Sequence, residues 1–107
     1  MMPMIEPISI SAQAAGEIRY LMQHKNIPEG YALRVMAEGG TGCGGVKYRL
    51  GFDKPKAGDG TYWFTDIPLV YEKRQMLFLM GLEIGFEERS HERGFVFTRI
   101  ELPAATP

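Results

Sequence analysis

Apolar residues recur at helical spacing in the segment that follows Ser11. Four of them fall on one face of a helix, namely Ala14, Ile18, Leu21 and Met22. The hydroxyl of Ser11 can accept a hydrogen bond from a free backbone N–H group of the first turn, which makes it a good N-cap. The turn-forming residues 28–30 follow. The sequence therefore predicts an amphipathic helix that begins after Ser11 and ends within residues 24–26.

The apolar period changes to two after this turn. Residues 31–37 and 46–52 alternate between apolar and polar side chains and predict two half-buried strands. The glycine-rich residues 39–45 join them, which indicates a hairpin-like pair with a wide connection. Shorter strands are predicted at 61–64, 67–70, 82–86 and 95–97. Pro68 is expected to break the second of these or to place it at a sheet edge.

The remaining segments complete the predicted order of elements. Residues 72–80 predict a second helix, with Gly81 as its C-terminal stop. The charged residues 87–93 predict a turn, and residues from about 99 to 107 a flexible tail. Few segments alternate between strand and helix as a parallel sheet requires. The predicted fold class is therefore α+β, mostly β, with residues 1–107 as a single domain.

The charge balance narrows the class of partner. The 107 residues contain 12 basic and 13 acidic side chains, for a formal net charge of -1. Nothing in this balance favours binding to nucleic acid or to an anionic membrane. The N-terminus lacks the regions of a signal peptide, and the longest apolar stretch, residues 76–80, is too short to span a bilayer. We expect a cytoplasmic protein with neither a nucleic-acid nor a membrane partner.

The candidate chemistry centres on Cys43, the single cysteine, which lies in the glycine-rich segment. Glycine permits left-handed backbone and the close approach of another group, and one cysteine cannot form an internal disulfide. The segment matches GxGxxG, but that dinucleotide motif requires a following helix, whereas residues 46–52 alternate as a strand. Either the glycines only shape a β-connection around an inert thiol, or the loop presents Cys43 for chemistry.

A nucleophilic role for Cys43 requires a neighbouring base or a source of positive charge. His24 and His91 are the two histidines, and neither has a spacing that indicates a dyad with Cys43. Basic residues flank the loop and could lower the pKa of the thiol, but we expect them to form the solvated face of the two strands. They are Arg34, Lys47 and Arg49. No catalytic residue is therefore assigned.

Four segments, taken in order, have the pattern of a known family. Residues 8–15 are similar to its opening strand and helix start, and Leu33-Arg34-Val35 followed by Gly42-Cys43-Gly44-Gly45 is similar to its first cysteine loop. Residues 77–84 resemble its second helix and the strand after it. Residues 94–98 are similar to its near-terminal Gly-Phe-x-Phe-x-Asn/Thr stretch. The chain thus resembles the HesB/IscA-type proteins, also called A-type iron–sulfur carriers, from residue 8 to residue 98.

The resemblance implies a HesB-like fold, a small sandwich of short β-sheets with two helices packed against it. It also implies an iron–sulfur cluster assembly or carrier protein, not an enzyme, that binds iron or an iron–sulfur cluster and passes it to apo-proteins. The family's ligands are three cysteines, one in the glycine loop and two in a Cys-Gly-Cys element near the C-terminus. Cys43 matches the first, and residues 99–107 hold no counterpart of the other two.

The shortage of thiols implies a shared site. A cluster is usually held by four protein ligands, mostly thiolates, and each chain brings one cysteine. The other ligands in a dimer could be His91, Glu92, an external thiol such as glutathione, or cysteines of a partner. The first hypothesis is a homodimer or tetramer in which Cys43 is the cofactor-binding and metal ligand. The alternative is a degenerate family member that has lost cluster binding and acts as a protein-interaction scaffold.

Overall fold

The computed structural model describes residues 8–39, 46–89 and 92–99. Within these ranges the chain forms seven strands and two α-helices, in the order β1 (Ile8–Ile10), α1 (Ala12–His24), β2 (Ala32–Gly39), β3 (Val46–Asp53), β4 (Asp59–Phe64), β5 (Ile67–Glu72), α2 (Met76–Leu79), β6 (Leu82–Arg89) and β7 (Glu92–Arg99). A 3₁₀ turn, Lys73–Gln75, directly precedes α2. Neither described helix is long and apolar enough to cross a membrane.

The strands form two sheets. The first has the order β1-β6-β7, in which β1 is parallel and β7 antiparallel to β6. The second has the order β3-β2-β5-β4, in which β2 and β5 are parallel and both outer pairs are antiparallel. Most of the described chain is strand and the helices are few and short, so the predicted α+β, mostly β class is confirmed.

Apolar side chains from both sheets and from α1 share one core. Alternate positions of β2, β5 and β6 supply most of it, namely Leu33, Val35, Ile67, Leu69, Tyr71, Leu82, Ile84 and Phe86. Strand β1 adds Ile8 and Ile10, and α1 adds Ala14 and Ile18. Burial of each large apolar side chain stabilises the fold by about 1.5–3 kcal/mol. The sandwich therefore depends on the period-two faces that the sequence displays.

Helix α1 begins and ends where the sequence predicts. The backbone N–H of Ala14 donates to Ser11 Oγ at 3.1 Å, so Ser11 is the N-cap. The backbone N–H of Ser11 donates to the Ile84 carbonyl oxygen at 2.9 Å, which anchors the start of the helix to β6. Ala14 and Ile18 are buried one turn apart, and the last helical residue is His24.

The predicted pair of strands around the glycine-rich segment is confirmed as an antiparallel pair of β2 with β3. The register runs without a break from Ala32 opposite Asp53 to Gly39 opposite Val46. Strand β2 extends further toward the glycines than the alternation indicated. The last described residue of β2 and the first residue of β3 are therefore direct partners across the pair.

The predicted second helix over residues 72–80 is too long. Glu72 belongs to β5, where it pairs with the first residue of β4, and Lys73–Gln75 form the 3₁₀ turn. In this segment only Met76–Leu79 are α-helical. Strand pairing extends β5 into residues whose local composition favours a helix, and tertiary context overrides that propensity. Gly81 has φ 80° and ends the segment as predicted.

The prediction of a charged turn over residues 87–93 is wrong in extent. Strand β6 continues to Arg89, and β7 starts at Glu92. Glu88 faces Arg93 across the two strands, and an ion pair of 2.9 Å joins them. Opposite charges on facing positions stabilise an antiparallel pair. The charged side chains here stabilise the pairing of β6 with β7, whereas the sequence pattern predicted that they form a turn.

The expectation that Pro68 breaks its strand or places it at a sheet edge is also wrong. Strand β5 runs through Pro68 and lies between β2 and β4. The pairing of β5 with β2 is confined to Leu69 and Val70. Pro68 has no N–H group to donate, and it stands just outside that ladder, so an inner strand tolerates it.

Arg34, expected on the solvated face of β2, is buried, with 7% of its surface exposed. Its Nε donates to Asp53 Oδ2 at 3.0 Å, and its Nη2 donates to Asp59 Oδ2 at 2.6 Å and to the Lys54 carbonyl oxygen at 3.0 Å. The hydrogen bond from Arg34 lowers the pKa of Asp59 below its ordinary value. These partners replace the water that the buried charge loses, and they join the end of β3 to the start of β4.

A second arginine holds the turn between β4 and β5 against α1. Arg19 Nη2 lies 2.6 Å from Asp66 Oδ1, and Arg19 Nε donates to both carboxylate oxygens at 3.0 Å. The same Nη2 donates to Thr65 Oγ1 at 3.2 Å. Thr65 has φ 53°, a left-handed conformation that β-branched residues rarely adopt. The hydrogen bonds from Arg19 lower the pKa of Asp66 from 3.8 to about 2.

The substitution Arg34→Met removes the partner of a buried carboxylate. We expect it to lower the free energy of unfolding by about 3 kcal/mol, measured by urea denaturation at pH 7. The matched control is Arg49→Met, because Arg49 forms an exposed ion pair with Glu38 at 2.9 Å and its loss should cost less than about 1 kcal/mol. Equal losses in the two variants would contradict a structural role for the Arg34 network.

The lowered pKa of Asp66 predicts a specific sensitivity to acid. The folded chain keeps this carboxylate ionised where the unfolded chain protonates it, so its contribution to stability is complete above about pH 5 and is lost as the pH falls toward about 2. In Asp66→Asn that contribution is absent at every pH. The urea midpoint should therefore fall less steeply below about pH 5 in the variant than in the wild type. Identical slopes would show that the contact with Arg19 does not persist in solution.

Candidate functional site

The segment that holds Cys43 connects the facing ends of β2 and β3. Gly39 and Val46 are partners in the antiparallel register, and Gly39 has φ 89°, a conformation that favours glycine. We call residues 37–39 and 46–48 the loop base. The residues between Gly39 and Val46 lie outside the described residues, so the assignment of Cys43 as a ligand stays a prediction.

The side chain of Gln75 completes the edge of β2 at the loop base. Strand β5 pairs with β2 only at Leu33 and Arg34 of the latter. Further along β2, Gln75 Oε1 accepts the Ala37 N–H at 3.1 Å, and Gln75 Nε2 donates to the Ala37 carbonyl oxygen at 2.9 Å. One side-chain amide thus satisfies both backbone groups of Ala37, as a neighbouring strand would.

Helix α2 is held between the loop base and the end of β7. Tyr48 Oη donates to the Phe78 carbonyl oxygen at 2.9 Å, and Arg99 Nη2 donates to the Leu77 carbonyl oxygen at 2.8 Å. The ring of Tyr48 also packs against Phe97, with centroids 5.6 Å apart. The last described residues of β7 therefore lie at the same end of the molecule as the loop base.

The basic residues that flank Cys43 in the sequence do not form one positive cluster. Arg34 is hydrogen-bonded within its buried network. It lies about 17 Å from the end of β2, given the rise of an extended strand. Arg49 is neutralised by Glu38 in an ion pair of 2.9 Å. Lys47 is exposed and forms no ion pair with the described residues. This arrangement gives little support to an activated thiol.

Two of the residues considered as partners of Cys43 are described, His24 as a possible base and Glu92 as a possible ligand. His24 Nδ1 lies 2.9 Å from the Tyr20 carbonyl oxygen, and the two rings stack at 3.8 Å, so His24 is occupied within α1. Glu92 is the first residue of β7, about 24 Å along an extended strand from the end that adjoins the loop base. This distance argues against Glu92 as a ligand beside Cys43 of the same chain. His91 lies outside the described residues.

The described part of the chain offers no ready-made metal site. Within residues 8–39, 46–89 and 92–99, no three or more His, Cys, Asp or Glu side chains form a group that could hold a metal ion. A charged cleft of about 760 Å³ lies over the Arg34 network, but its carboxylates, Asp53, Asp59 and Glu72, are already paired with arginine.

The sequence did not indicate the role of Gln75 or the exposed face of α2. Leu77 has 77% of its surface exposed and Phe78 43%, whereas Leu79 is fully buried. One signal was available, because three consecutive apolar residues cannot all face the same side of a helix. Nothing in the local sequence shows that Gln75 reaches β2.

Proteins named for iron–sulfur cluster insertion are similar to this chain in sequence. No protein-family model matches the chain. The iron-sulfur cluster insertion protein ErpA of Glaesserella parasuis serovar 5 (strain SH0165) is 33% identical over 89 residues, which cover 82% of this chain and 77% of that relative. The protein of the same name from Xylella fastidiosa (strain M12) is 34% identical over 83 residues, 77% of this chain. The chain spans 63% of the length of the Xylella relative.

Two solved structures share the fold. Escherichia coli SufA, involved in biosynthesis of iron–sulfur clusters, gives a TM-score of 0.69 at 20% identity, over 90% of this chain and 88% of SufA. IscA with a [2Fe–2S] cluster gives a TM-score of 0.66 at 19% identity, over 86% of this chain and 81% of IscA. The chain belongs to the HesB/IscA family. The predicted HesB-like fold is thereby confirmed.

In this HesB/IscA-family chain, Gln75→Leu keeps the side-chain volume but removes both hydrogen bonds to Ala37. Unsatisfied backbone groups at a partly buried edge should lower the free energy of unfolding by about 1–3 kcal/mol. Hydrogen exchange of the Ala37 amide, followed by NMR, should accelerate about tenfold or more. The matched control is Gln23→Leu, since Gln23 is exposed on α1. An unchanged Ala37 exchange rate in Gln75→Leu would contradict the edge-completing role.

Proposed function

We propose that this chain is an iron–sulfur cluster assembly or carrier protein that binds iron or an iron–sulfur cluster through Cys43 and passes it to an apo-protein. The cluster is cargo in this proposal. The observation that carries it is the loop base, where paired strands hold Gly39 and Val46 side by side and the one cysteine of the chain lies between them. Relatives named for iron–sulfur cluster insertion supply the class of cargo.

The residue types around Cys43 suit a ligand that must meet a second molecule. A thiolate is a soft ligand of the kind that iron–sulfur clusters require. Gly42 and Gly44 flank it, and residues without a side chain allow close approach of another group. A site of this kind binds by presenting one sulfur rather than by enclosing the metal.

The ligand count requires that the site be shared. Four protein ligands usually hold a cluster, and each chain brings one cysteine. The family resemblance implies two further cysteines after β7, whose end lies near the loop base through Arg99 and Leu77, but residues 100–107 contain no cysteine. Cys43 of a second copy, a small thiol or cysteines of the receiving protein would complete the set. A homo-oligomer with one Cys43 ligand per chain would hold its cargo less firmly than one with three cysteine ligands per chain.

The ligand shortage also supports a second candidate function. In it the chain keeps the family fold as a protein-interaction scaffold and binds no cluster. The described residues contain no metal-binding group, and the apolar side chains of Leu77 and Phe78 face solvent. This scaffold would use its surface in the same way whether or not Cys43 is present.

The proposal predicts that the full chain takes up cargo in a Cys43-dependent manner. Anaerobic incubation with ferrous iron, sulfide and glutathione should give a coloured species with thiolate-to-iron absorption. Cys43→Ser should lose that absorption, because a hydroxyl is a harder and weaker ligand for these clusters. Bound iron and sulfide are measured chemically in both samples.

Two controls make the result decisive. The urea midpoint of Cys43→Ser must equal that of the wild type, which excludes loss of colour through unfolding. Size-exclusion chromatography of the loaded wild type should show a dimer or larger species that reverts when iron is removed. A well-folded wild type that takes up neither iron nor sulfide would reject the carrier function and leave the scaffold.

A further inference from the structure

Helix α2 exposes two large apolar side chains beside the loop base. Leu77 and Phe78 have 77% and 43% of their surfaces exposed, while Leu79 of the same turn is buried in the core. Tyr48, one residue beyond Lys47 on β3, donates its hydroxyl hydrogen to the Phe78 carbonyl oxygen. The exposed pair therefore lies beside the loop base, to which Tyr48 belongs.

The backbone beneath this pair is held by hydrogen bonds from other elements. A helix of four residues is not stable on its own. Three side chains from other strands or from the preceding turn fix it here: Gln75 binds Ala37, Tyr48 binds the Phe78 carbonyl, and Arg99 binds the Leu77 carbonyl. Such fixing reduces the entropy that an incoming partner would have to remove, which favours binding by the exposed side chains.

Two basic residues lie near the pair in the described structure, one contacting Leu77 and one a turn earlier in the same segment. Lys73, one turn before Leu77, is exposed and forms no ion pair with the described residues. Arg99 donates a hydrogen bond to the Leu77 carbonyl oxygen. This acceptor is uncharged, so it does not neutralise the positive charge of Arg99. Arg74 is neutralised by Glu72. Two copies that met through this surface around a two-fold axis would bring like charges together, so the charge pattern favours a different, acidic partner.

We propose that Leu77, Phe78, Lys73 and Arg99, here called the α2 patch, are the docking surface for the protein that receives the cargo. The patch fits an apolar side chain of that protein flanked by carboxylates. The inference rests on the proposed function, because the position beside the Cys43 segment gives docking its purpose. Two apolar anchors with a charged rim indicate a weak, transient contact whose association is accelerated by charge.

The test uses a plant-type [2Fe–2S] ferredoxin in its apo form as an acidic acceptor of defined composition. Binding to the full chain is measured by NMR titration or calorimetry, with no cluster present. Leu77→Asp should weaken binding about tenfold or more, because it removes the apolar anchor and adds a like charge. Leu77→Lys, which removes the anchor but adds a positive charge that an acidic acceptor attracts, should weaken it less. Lys73→Glu should weaken it and reduce its dependence on salt.

The matched control is Trp63→Asp. Like Leu77, Trp63 is a large exposed apolar side chain, with 67% of its surface exposed, but it lies on β4, so its substitution should leave binding unchanged. Equal weakening by Trp63→Asp and Leu77→Asp would overturn the proposal. So would an unmeasurable affinity of the wild type for the acceptor, or dissociation of a homo-oligomer by Leu77→Asp, which would assign the patch to a second copy.

The docking proposal and the carrier proposal can be rejected independently of each other. Cys43→Ala should bind the acceptor as the wild type does while it takes up no cluster, and this result supports docking through the α2 patch. If the wild type loads no cluster yet binds the acceptor through Leu77, docking stands and the carrier function falls. If Leu77→Asp loads cluster and binds the acceptor at wild-type strength, the carrier function stands and docking through the patch is rejected.

Discussion

The hydrogen bonding of strand β2 on both of its edges is the constraint on which this structure depends. Strand β3 pairs with it along its whole length, β5 pairs at Leu33 and Arg34, and the amide of Gln75 takes over at Ala37. A strand enclosed in this way is buried on both faces over its first residues, which forces Arg34 to find carboxylate partners. The same enclosure fixes the end of β2 opposite the start of β3, where Gly39 and Val46 are partners.

The end of the molecule that carries the loop base is assembled from segments distant in sequence. Side-chain bonds to backbone carbonyls connect β3 and β7 to α2, and no long helix is needed to hold them. An exposed apolar turn and the basic side chain of Arg99 lie there, beside the paired strand ends that flank the Cys43 segment in the sequence. In the proposed function, a carrier has to bind and then release its cargo. A single sulfur per chain would leave most ligands to be supplied by a partner, so contact with that partner would become part of the chemistry.

Residues whose role is local were predictable. Ser11 caps α1 through its own hydroxyl, Gly81 ends α2 with a conformation that suits glycine, and the alternation on either side of the glycines indicated β2 and β3. Residues whose role depends on a distant partner were not. Gln75 acts on Ala37, 38 positions away, and the charged residues at the end of β6 are strand because oppositely charged residues of β7 face them.

The sequence by itself determined the periodic elements, the mostly β class and the single thiol as the place to look for chemistry, because apolar period and residue type are properties of the chain alone. The tertiary structure decided how far each strand runs, why Arg34 is buried, and which side chains surround the loop base. Strand pairing decides those features, and pairing joins segments whose separation along the chain carries no local signal. The free energy of a residue such as Pro68 or Glu72 in a strand therefore depends on neighbours that only the folded chain provides.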